Sequence, residues 1–356
     1  MHRQLRCVIA AGGTAGHVLP ALAVAEALRE RDVVVTFAGS PDRVEARLVP
    51  ESGYPFDAFA IAGFPRRPGI ELARALGLAV ASPVACARIL ARRQPDVVLG
   101  GGGYVAGPMV LAAWLRRIPA ALTEADAQLG LANRLAAPFA ERVFLALPVA
   151  GRDGNKYVDA GRPVPARSRA VSRAEARERL ELPADGAVVL VFGGSLGAWL
   201  LNDLAVEAWG AEGPAVVHLC GERDYEALRS RVYRPDYRLL PFLDEIGLAY
   251  GAADVAVARA GGSVWELAAA GLPAVLVPGE FATGAHQEKN ARWFERAGGA
   301  VVVSEVDVRR VPALVADLLA DPARLAQMKG AMRAAAKPDA AERIADELVA
   351  LAAARR

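Results

Sequence analysis

Residues 5–20 read Leu-Arg-Cys-Val-Ile-Ala-Ala-Gly-Gly-Thr-Ala-Gly-His-Val-Leu-Pro. The apolar run Leu5–Ala11 ends in a glycine loop, and a helical pattern follows from about Val18 to Arg31, so the stretch predicts strand, loop and helix. The next run, Val33–Ala38, is continuously apolar rather than alternating, which suits a parallel strand covered on both faces. Further strands are expected at 96–99, 120–123 and 142–145, at the spacing of βα units. The opening then recurs. Ala187–Phe192 runs into Gly193-Gly194-Ser195-Leu196-Gly197, with strands expected at 215–219, 238–240, 254–257, 274–277 and 300–303. Two such series predict an α/β chain of two Rossmann-like domains facing a cleft. Gly161-Arg162-Pro163-Val164-Pro165 breaks the rhythm, which places a hinge there and the domains at 1–161 and 162–338.

Two flanking segments carry their own expectations. Residues 175–183 read as a surface lead-in to the second series. The last helix, 339–353, has Asp339 as its expected N-cap and Glu342 as capping-box partner. Its stripe of Ile344, Leu348 and Leu351/Ala352 needs a surface to cover it.

Composition narrows the class. A chain of 356 residues suits two domains, and 54% hydrophobic with 23% charged residues excludes a largely disordered one. Forty-two Lys and Arg against 40 Asp and Glu leave a net charge of +2, which is no nucleic-acid signature. Cys7, Cys86 and Cys220 make neither a disulfide framework nor a metal-ligand spacing, so a reducing compartment is expected. Gly12-Gly13 cuts the first apolar run too early for a signal peptide. The uncharged stretch Val97–Leu115 is broken by Gly100–Gly103, Gly107 and Pro108, so it reads as strand, loop and helix rather than a membrane span.

The glycine loops carry the candidate chemistry. Gly12-Gly13-Thr14-Ala15-Gly16-His17 lacks the G-x-G-x-x-G spacing, and Ala38-Gly39-Ser40 supplies no acidic ribose reader at the end of the second strand, so a dinucleotide site is disfavoured. Nor does the loop end in the Lys-Ser/Thr of a phosphate-binding loop. His17 at a helix entrance would be kept neutral, fit to accept a proton from a sugar hydroxyl; the plainer role is a cap or a packed ring. Gly101–Pro108 either borders a cleft or lets two elements pack closely. Gly193–Gly197, with Ser195, is a candidate phosphate cradle. Ser263 and Glu266 fit a capping box, while Glu266 also suits a ribose diol. His286, Gln287 and Asn290 offer neutral polar groups for hydroxyl recognition. Arg66, Arg67, Arg74, Arg88, Arg92 and Arg93 flank the Leu76–Val80 run, which reads as an anionic-membrane face or as a solvated basic face over buried helices.

In their order and spacing these motifs resemble the MurG family, the UDP-N-acetylglucosamine:lipid I N-acetylglucosaminyltransferases of bacterial peptidoglycan synthesis. The resemblance rests on Gly12–Pro20, Gly101–Pro108, Gly193-Gly194-Ser195 with Gly197-Ala198, Glu266–Pro273 and His286-Gln287-x-x-Asn290-Ala291, and it spans nearly the whole chain. It implies a GT-B fold, with the acceptor on the N-terminal domain, UDP-sugar on the C-terminal one and the last helix completing the first. It implies inverting, metal-independent transfer of N-acetylglucosamine to the C4 hydroxyl of N-acetylmuramic acid in lipid I, giving lipid II. By the same resemblance His17 is the general base, and Thr14 and Gly16 in its loop bind the UDP-sugar donor. Ser195 contacts diphosphate, the Leu243 backbone reads uracil, Arg259 and Gly262 line the donor loop, Glu266 binds ribose, and His286, Gln287 and Asn290 recognise the sugar. No cofactor is implied. The implied partners are UDP-N-acetylglucosamine, lipid I, an anionic membrane surface on the cytoplasmic face and cell-wall synthesis proteins.

Three local departures stand against the family pattern. Thr123-Glu124-Ala125-Asp126 replaces His-Glu-x-Asn, which puts an ionisable Asp126 beside or in place of His17 as a base. Pro165 replaces the hinge arginine, with Arg162 three positions upstream. The 259–266 segment is one residue short. A related UDP-sugar transferase acting on another lipid or a secondary metabolite is the nearest alternative. A UDP-sugar epimerase and a non-catalytic nucleotide-sugar-binding protein follow; the former wants more acid/base groups than His17 and Asp126, and the presence of His17 speaks against the latter.

Overall fold

The computed structural model describes residues 3–63, 69–126, 128–194, 197–279 and 286–354. The chain divides into two compact units, Met1–Pro165 with Pro338–Arg356, and Ala166–Lys337.

The first unit runs β1 (Arg6–Ala11), α1 (Ala15–Arg29), β2 (Val34–Gly39), α2 (Val44–Glu51), β3 (Phe56–Ala58), α3 (Ile70–Arg93), β4 (Val97–Gly102), α4 (Ala106–Leu115), β5 (Ala120–Glu124), α5 (Leu131–Ala136), β6 (Arg142–Leu145) and β7 (Tyr157–Asp159). Its parallel sheet has the order β3-β2-β1-β4-β5-β6-β7. β1 shows why its sequence is apolar throughout. Cys7, Ile9 and Ala11 enter one core with α1, while Val8 and Ala10 enter a second core with α3 and α4. Alternate side chains point to opposite faces, and both faces are covered.

The second unit runs α6 (Arg173–Arg179), β8 (Val188–Phe192), α7 (Trp199–Trp209), β9 (Ala215–Leu219), α8 (Glu222–Arg229), β10 (Tyr237–Leu240), α9 (Gly247–Ala252), β11 (Val255–Ala258), α10 (Val264–Ala270), β12 (Ala274–Leu276), α11 (His286–Arg296), β13 (Ala300–Val302), α12 (Val311–Leu319) and α13 (Pro322–Ala335). Its parallel sheet has the order β10-β9-β8-β11-β12-β13. The final helix, α14 (Ala340–Ala353), belongs to the first unit, where Ala341, Ile344, Ala345, Leu348 and Ala352 join the core beside α1.

The structure corrects several local expectations. The lead-in at 175–183 lies at the surface by its Glu175, Glu178, Arg179, Glu181 and Pro183 side, but its other side is buried: Ala176 and Arg177 on α6, then Leu180 and Leu182. Arg177 is only 1% exposed, with its guanidinium donating to the carbonyls of Ala252, Pro183, Ala184 and Gly186 and to Asp254. A buried charge satisfied this way reads in sequence like any surface arginine. The capping box at the last helix does not form, since Asp339 has ψ 11° and makes no side-chain cap bond; a cap oxygen reaches the first-turn amides from extended backbone. The short strands β3 and β7 and the helix α2 lack a periodic signal of useful length. Val97–Leu115 does split into β4 and α4, and among the described residues no helix is long and apolar enough to cross a membrane.

Candidate functional site

In each sheet the strand order reverses once, between β1 and β4 and between β8 and β11. Open parallel sheets bind ligands beyond the carboxyl ends of such a pair, and the glycine-rich segments singled out above follow three of these four strands and Arg259–Ser263 follows the fourth.

In the first unit a cavity of about 550 Å³ lies there, lined by Gly16, His17, Gly102, Tyr104, Glu124, Asp126 and Arg162 among others. Thr14 occupies the N-cap position of α1 but makes no side-chain cap bond; its Oγ1 instead lies 3.2 Å from His17 Nδ1. His17 therefore neither caps the helix nor sits in the core: it is half-buried on the cavity wall. Burial pushes the imidazole below its ordinary value, the Arg162 charge adds to this, and Asp126 opposes it. The direction of the shift favours the neutral ring, with burial and an arginine rather than the helix terminus as its causes.

Pro20 explains how Arg162 arrives. Proline has no N–H, so within α1 the carbonyl four residues back, that of Gly16, gets no helical bond. The Arg162 Nη2 donates to that carbonyl at 2.5 Å. The arginine of the altered hinge motif is thus directed into the first unit, 9% exposed, on the same cavity as His17.

The Gly101–Pro108 loop does both things that its sequence left open. Gly102 has φ +107°, and a Cβ there would lie 2.6 Å from His17 Cδ2, so close approach to the ring requires glycine. The same loop lines the cavity. Tyr104 sits against Gly13, which has φ +90°, and its buried hydroxyl has no hydrogen-bond partner among the described residues.

Behind Asp126 stands Glu124, 6% exposed, accepting hydrogen bonds from the amides of Asp126 (3.1 Å) and Gly130 (2.8 Å) and from Asn133 Nδ2 (2.9 Å). Burial pushes its carboxyl up, against those bonds. Glu124 thereby shapes the loop that carries Asp126. Sequence reasoning quoted Glu124 without giving it a task, and it did not see Glu45. Glu45 is fully buried on α2 and accepts from the amides of Gly13 and Ser40.

In the second unit Arg259 and Gly262 follow β11, Gln287 and Asn290 on α11 reach Gly279 and Ala260 beside it, and Glu266 lies on the next helix, α10. The expected capping box is absent: Ser263 makes no cap bond. Glu266 Oε2 instead accepts from the buried Tyr250 hydroxyl at 2.7 Å, and the carboxylate beside it raises that phenol well above its ordinary value along with burial. Gln287 Oε1 accepts from the Gly279 amide at 2.9 Å, and Asn290 Nδ2 donates to the Ala260 carbonyl at 3.3 Å. Arg259 donates to the Val277 carbonyl at 3.1 Å and pairs with Glu305. Leu243 is half-buried after β10. Ser195 lies outside the described residues, as does the side chain of His286. Gly193 and Gly197 leave room for Ala198 and for the Cys220 carbonyl that would otherwise collide with a side chain. That carbonyl is held at 2.8 Å by Asn202, which also bonds His218 at 3.0 Å and Asp224 at 2.9 Å. His218, fully buried and pushed down to about 3, is a core group.

Among the described residues no group of three His, Cys, Asp or Glu is placed to hold a metal ion.

Residues 7–145 match the glycosyltransferase family 28 N-terminal domain and residues 188–344 the family 28 C-terminal domain. The chain is 41% identical to the UDP-N-acetylglucosamine–N-acetylmuramyl-(pentapeptide) pyrophosphoryl-undecaprenol N-acetylglucosamine transferase of Salinibacter ruber, covering 98% of both chains. It is 43% identical to the transferase of the same name from Mycobacterium bovis, over 98% of this chain and 90% of that one. The crystal structure of Acinetobacter baumannii MurG superposes with a TM-score of 0.77 at 28% identity, covering 97% of this chain and 99% of the other. With both halves matched and relatives alike from end to end, the fold is GT-B and the protein belongs to glycosyltransferase family 28, in the MurG family of N-acetylglucosaminyltransferases.

Proposed function

We propose that the protein transfers N-acetylglucosamine from UDP-N-acetylglucosamine to the C4 hydroxyl of N-acetylmuramic acid in lipid I, with inversion and without a metal, giving lipid II and UDP. The observation that carries this reading is His17, held neutral beside Thr14 on a cavity at the β1/β4 switch point. Its imidazole takes the hydroxyl proton as the oxygen attacks C1 of the donor sugar. The C1–O bond to UDP breaks and the electron pair leaves with the diphosphate. The backbone amides after β8, with Ser195 and the start of α7, receive that charge in place of a metal. Glu266 holds the ribose diol, the Leu243 backbone reads the uracil, and Arg259, Gly262, His286, Gln287 and Asn290 form the donor-sugar side. Thr14 and Gly16 contact the donor from the loop that carries His17, and Asp126 is the second ionisable group on the acceptor.

The acceptor is a lipid, and the first unit supports a peripheral membrane contact on the cytoplasmic face. Val80 and Val84 on α3, Trp114 and Leu115 on α4, and Leu131 and Leu135 on α5 are all more than half exposed. Pro83, Leu131, Leu135 and Phe139 also line the His17 cavity, so the apolar face continues into it. Arg88, Arg116, Arg117 and Arg134 are exposed nearby. Arg92 and Arg93 instead pair with the buried Asp57, so they add less to a membrane-facing charge than the sequence implied. Arg66 and Arg67 lie outside the described residues, and so does the side chain of Arg74. Cell-wall synthesis proteins are further partners in this reading.

The test is direct: UDP release and acceptor mass, followed with UDP-N-acetylglucosamine and a short-chain lipid I analogue. His17→Ala is expected to lower kcat by roughly 10²–10⁴-fold, the usual worth of a general base, while leaving UDP affinity unchanged. Equal loss of both would remove the base assignment. UDP binding without disaccharide product in the unaltered protein would favour another acceptor, with Asp126 and Pro165 as the positions to exchange.

A further inference from the structure

We propose that Glu45 is a positioning residue for the transfer: its side chain locks the Gly12-Gly13 turn from behind and so sets where His17 meets the acceptor hydroxyl. This rests on the reading of His17 as the base.

The geometry is specific to a carboxylate. Oε1 accepts from the Ser40 amide at 3.1 Å and Oε2 from the Gly13 amide at 3.0 Å, so the two oxygens tie the end of β2 to the end of β1. Both amides are donors. A glutamine has one oxygen and one NH2, so in either orientation one N–H would face another donor. Space is equally tight: a Cβ on Gly12 would collide with Oε1, and one on Gly39 would lie 2.8 Å from Cγ. Glu45 is anchored in turn, since Val49 on α2 is fully buried and Val44 and Leu48 pack on the same core.

The turn that Glu45 holds supports the imidazole from two directions. Thr14 follows Gly13 directly and places its hydroxyl 3.2 Å from Nδ1. On the other side Gly12 N–H donates to the Gly102 carbonyl at 3.4 Å, a side chain at Gly103 would collide with the Gly12 carbonyl, and Gly102 packs on the ring. Moving Gly13 would loosen both supports. The charged and titratable groups around the ring are Arg162 after β7, Asp126 and Glu124 around the end of β5, and Tyr104 after β4. Removing the Glu45 charge would by its field alone lower the His17 value, so an upward movement of the limb reports displacement of the ring.

The experiment measures kcat, donor KM, the pH profile of kcat, UDP affinity and thermal melting for Glu45→Gln beside His17→Ala. A displaced catalytic group costs up to about a hundredfold, so kcat of Glu45→Gln is expected to fall by about ten- to a hundredfold. Donor KM and UDP affinity should hold, and the acidic limb should move up toward the ordinary imidazole value as the ring gains water. Should Glu45→Gln not accumulate folded, Glu45→Asp carries the same test, because the shorter stem keeps both acceptors but draws the turn toward α2. Unchanged kcat and pH limb would overturn the positioning role while leaving the base reading intact. A loss of melting temperature and UDP affinity with an unmoved limb would reduce Glu45 to a purely structural group. Transfer retained by His17→Ala would overturn the base reading, and this inference with it.

Discussion

At the scale of single residues, the site is a balance of two charges on one imidazole. Arg162 lowers the His17 pKa and Asp126 raises it, with burial the larger lowering cause. In the proposed reading His17 is the base and must be neutral, so kcat is expected to fall as pH drops through that value, with the limb below the ordinary 6.5. Arg162→Met removes a lowering charge and is expected to move the acidic limb up; Asp126→Asn removes a raising one and is expected to move it down. Paired pH profiles of kcat check both signs, and movement of both limbs in one direction would contradict the arrangement. Much of this was legible beforehand, because glycine, threonine and histidine at a strand–helix turn announce chemistry by type. Glu45 was silent: it acts on Gly13 from 32 positions away, through a fold that only the assembled sheet creates. Arg162 was visible as a departure from a motif, but its direction depends on a carbonyl that Pro20 leaves open.

At the scale of elements, strands with long apolar runs were readable and caps were not. β1, β2 and β8 are apolar on both faces, and the run length alone identifies them. Asp339 and Ser263 stand in capping positions by sequence, yet neither side chain caps its helix, whereas Ser172 and Asp321 do, accepting from the Glu175 and Arg324 amides. Backbone angle is one condition for a cap and the side chain's other partners are another: Thr14 has extended backbone at the start of α1, yet its hydroxyl lies beside His17 instead. The apolar stripe of the last helix did not name its partner, the resemblance placed it on the first domain, and it lies there on the face shared with α1. Leu348 is fully buried there among Ile344, Ala345 and the α1 side chains. Leu348→Ala is expected to destabilise the first unit by about 2–5 kcal/mol, the usual range for a core leucine, measured as a shift in urea midpoint with unchanged slope. A change near zero would mean that α14 is not held by this contact. α6 adds a polar element to the same principle, because beside Ala176, Leu180 and Leu182 it is held by one buried arginine and five acceptors.

At the scale of the whole molecule, a net charge of only +2 means that any attraction to an anionic bilayer must come from placement rather than total charge. The first unit provides such placement: exposed Trp114 and Leu115 are followed directly by exposed Arg116 and Arg117, and Leu131 and Leu135 flank exposed Arg134. Apolar side chains that enter the interface give attachment that salt does not screen, while arginines near anionic headgroups add a part that salt does screen, about 1 kcal/mol each. Sedimentation with phosphatidylglycerol vesicles should therefore weaken with salt without vanishing. Trp114→Ser with Leu115→Ser should remove the salt-resistant part, and Arg116→Gln with Arg117→Gln the salt-dependent part. Neither pair lines the His17 cavity, so turnover of a water-soluble short-chain acceptor should be unchanged in both. The separation matters, because in the proposed reading a lipid acceptor sets two demands that different residues would meet: the cavity would select the hydroxyl, and the face beside it would bring the enzyme to the surface where the acceptor's tail is anchored. Loss of turnover on the soluble acceptor in step with vesicle binding would show instead that these side chains serve the site itself, and would return the apolar face to the cavity's account.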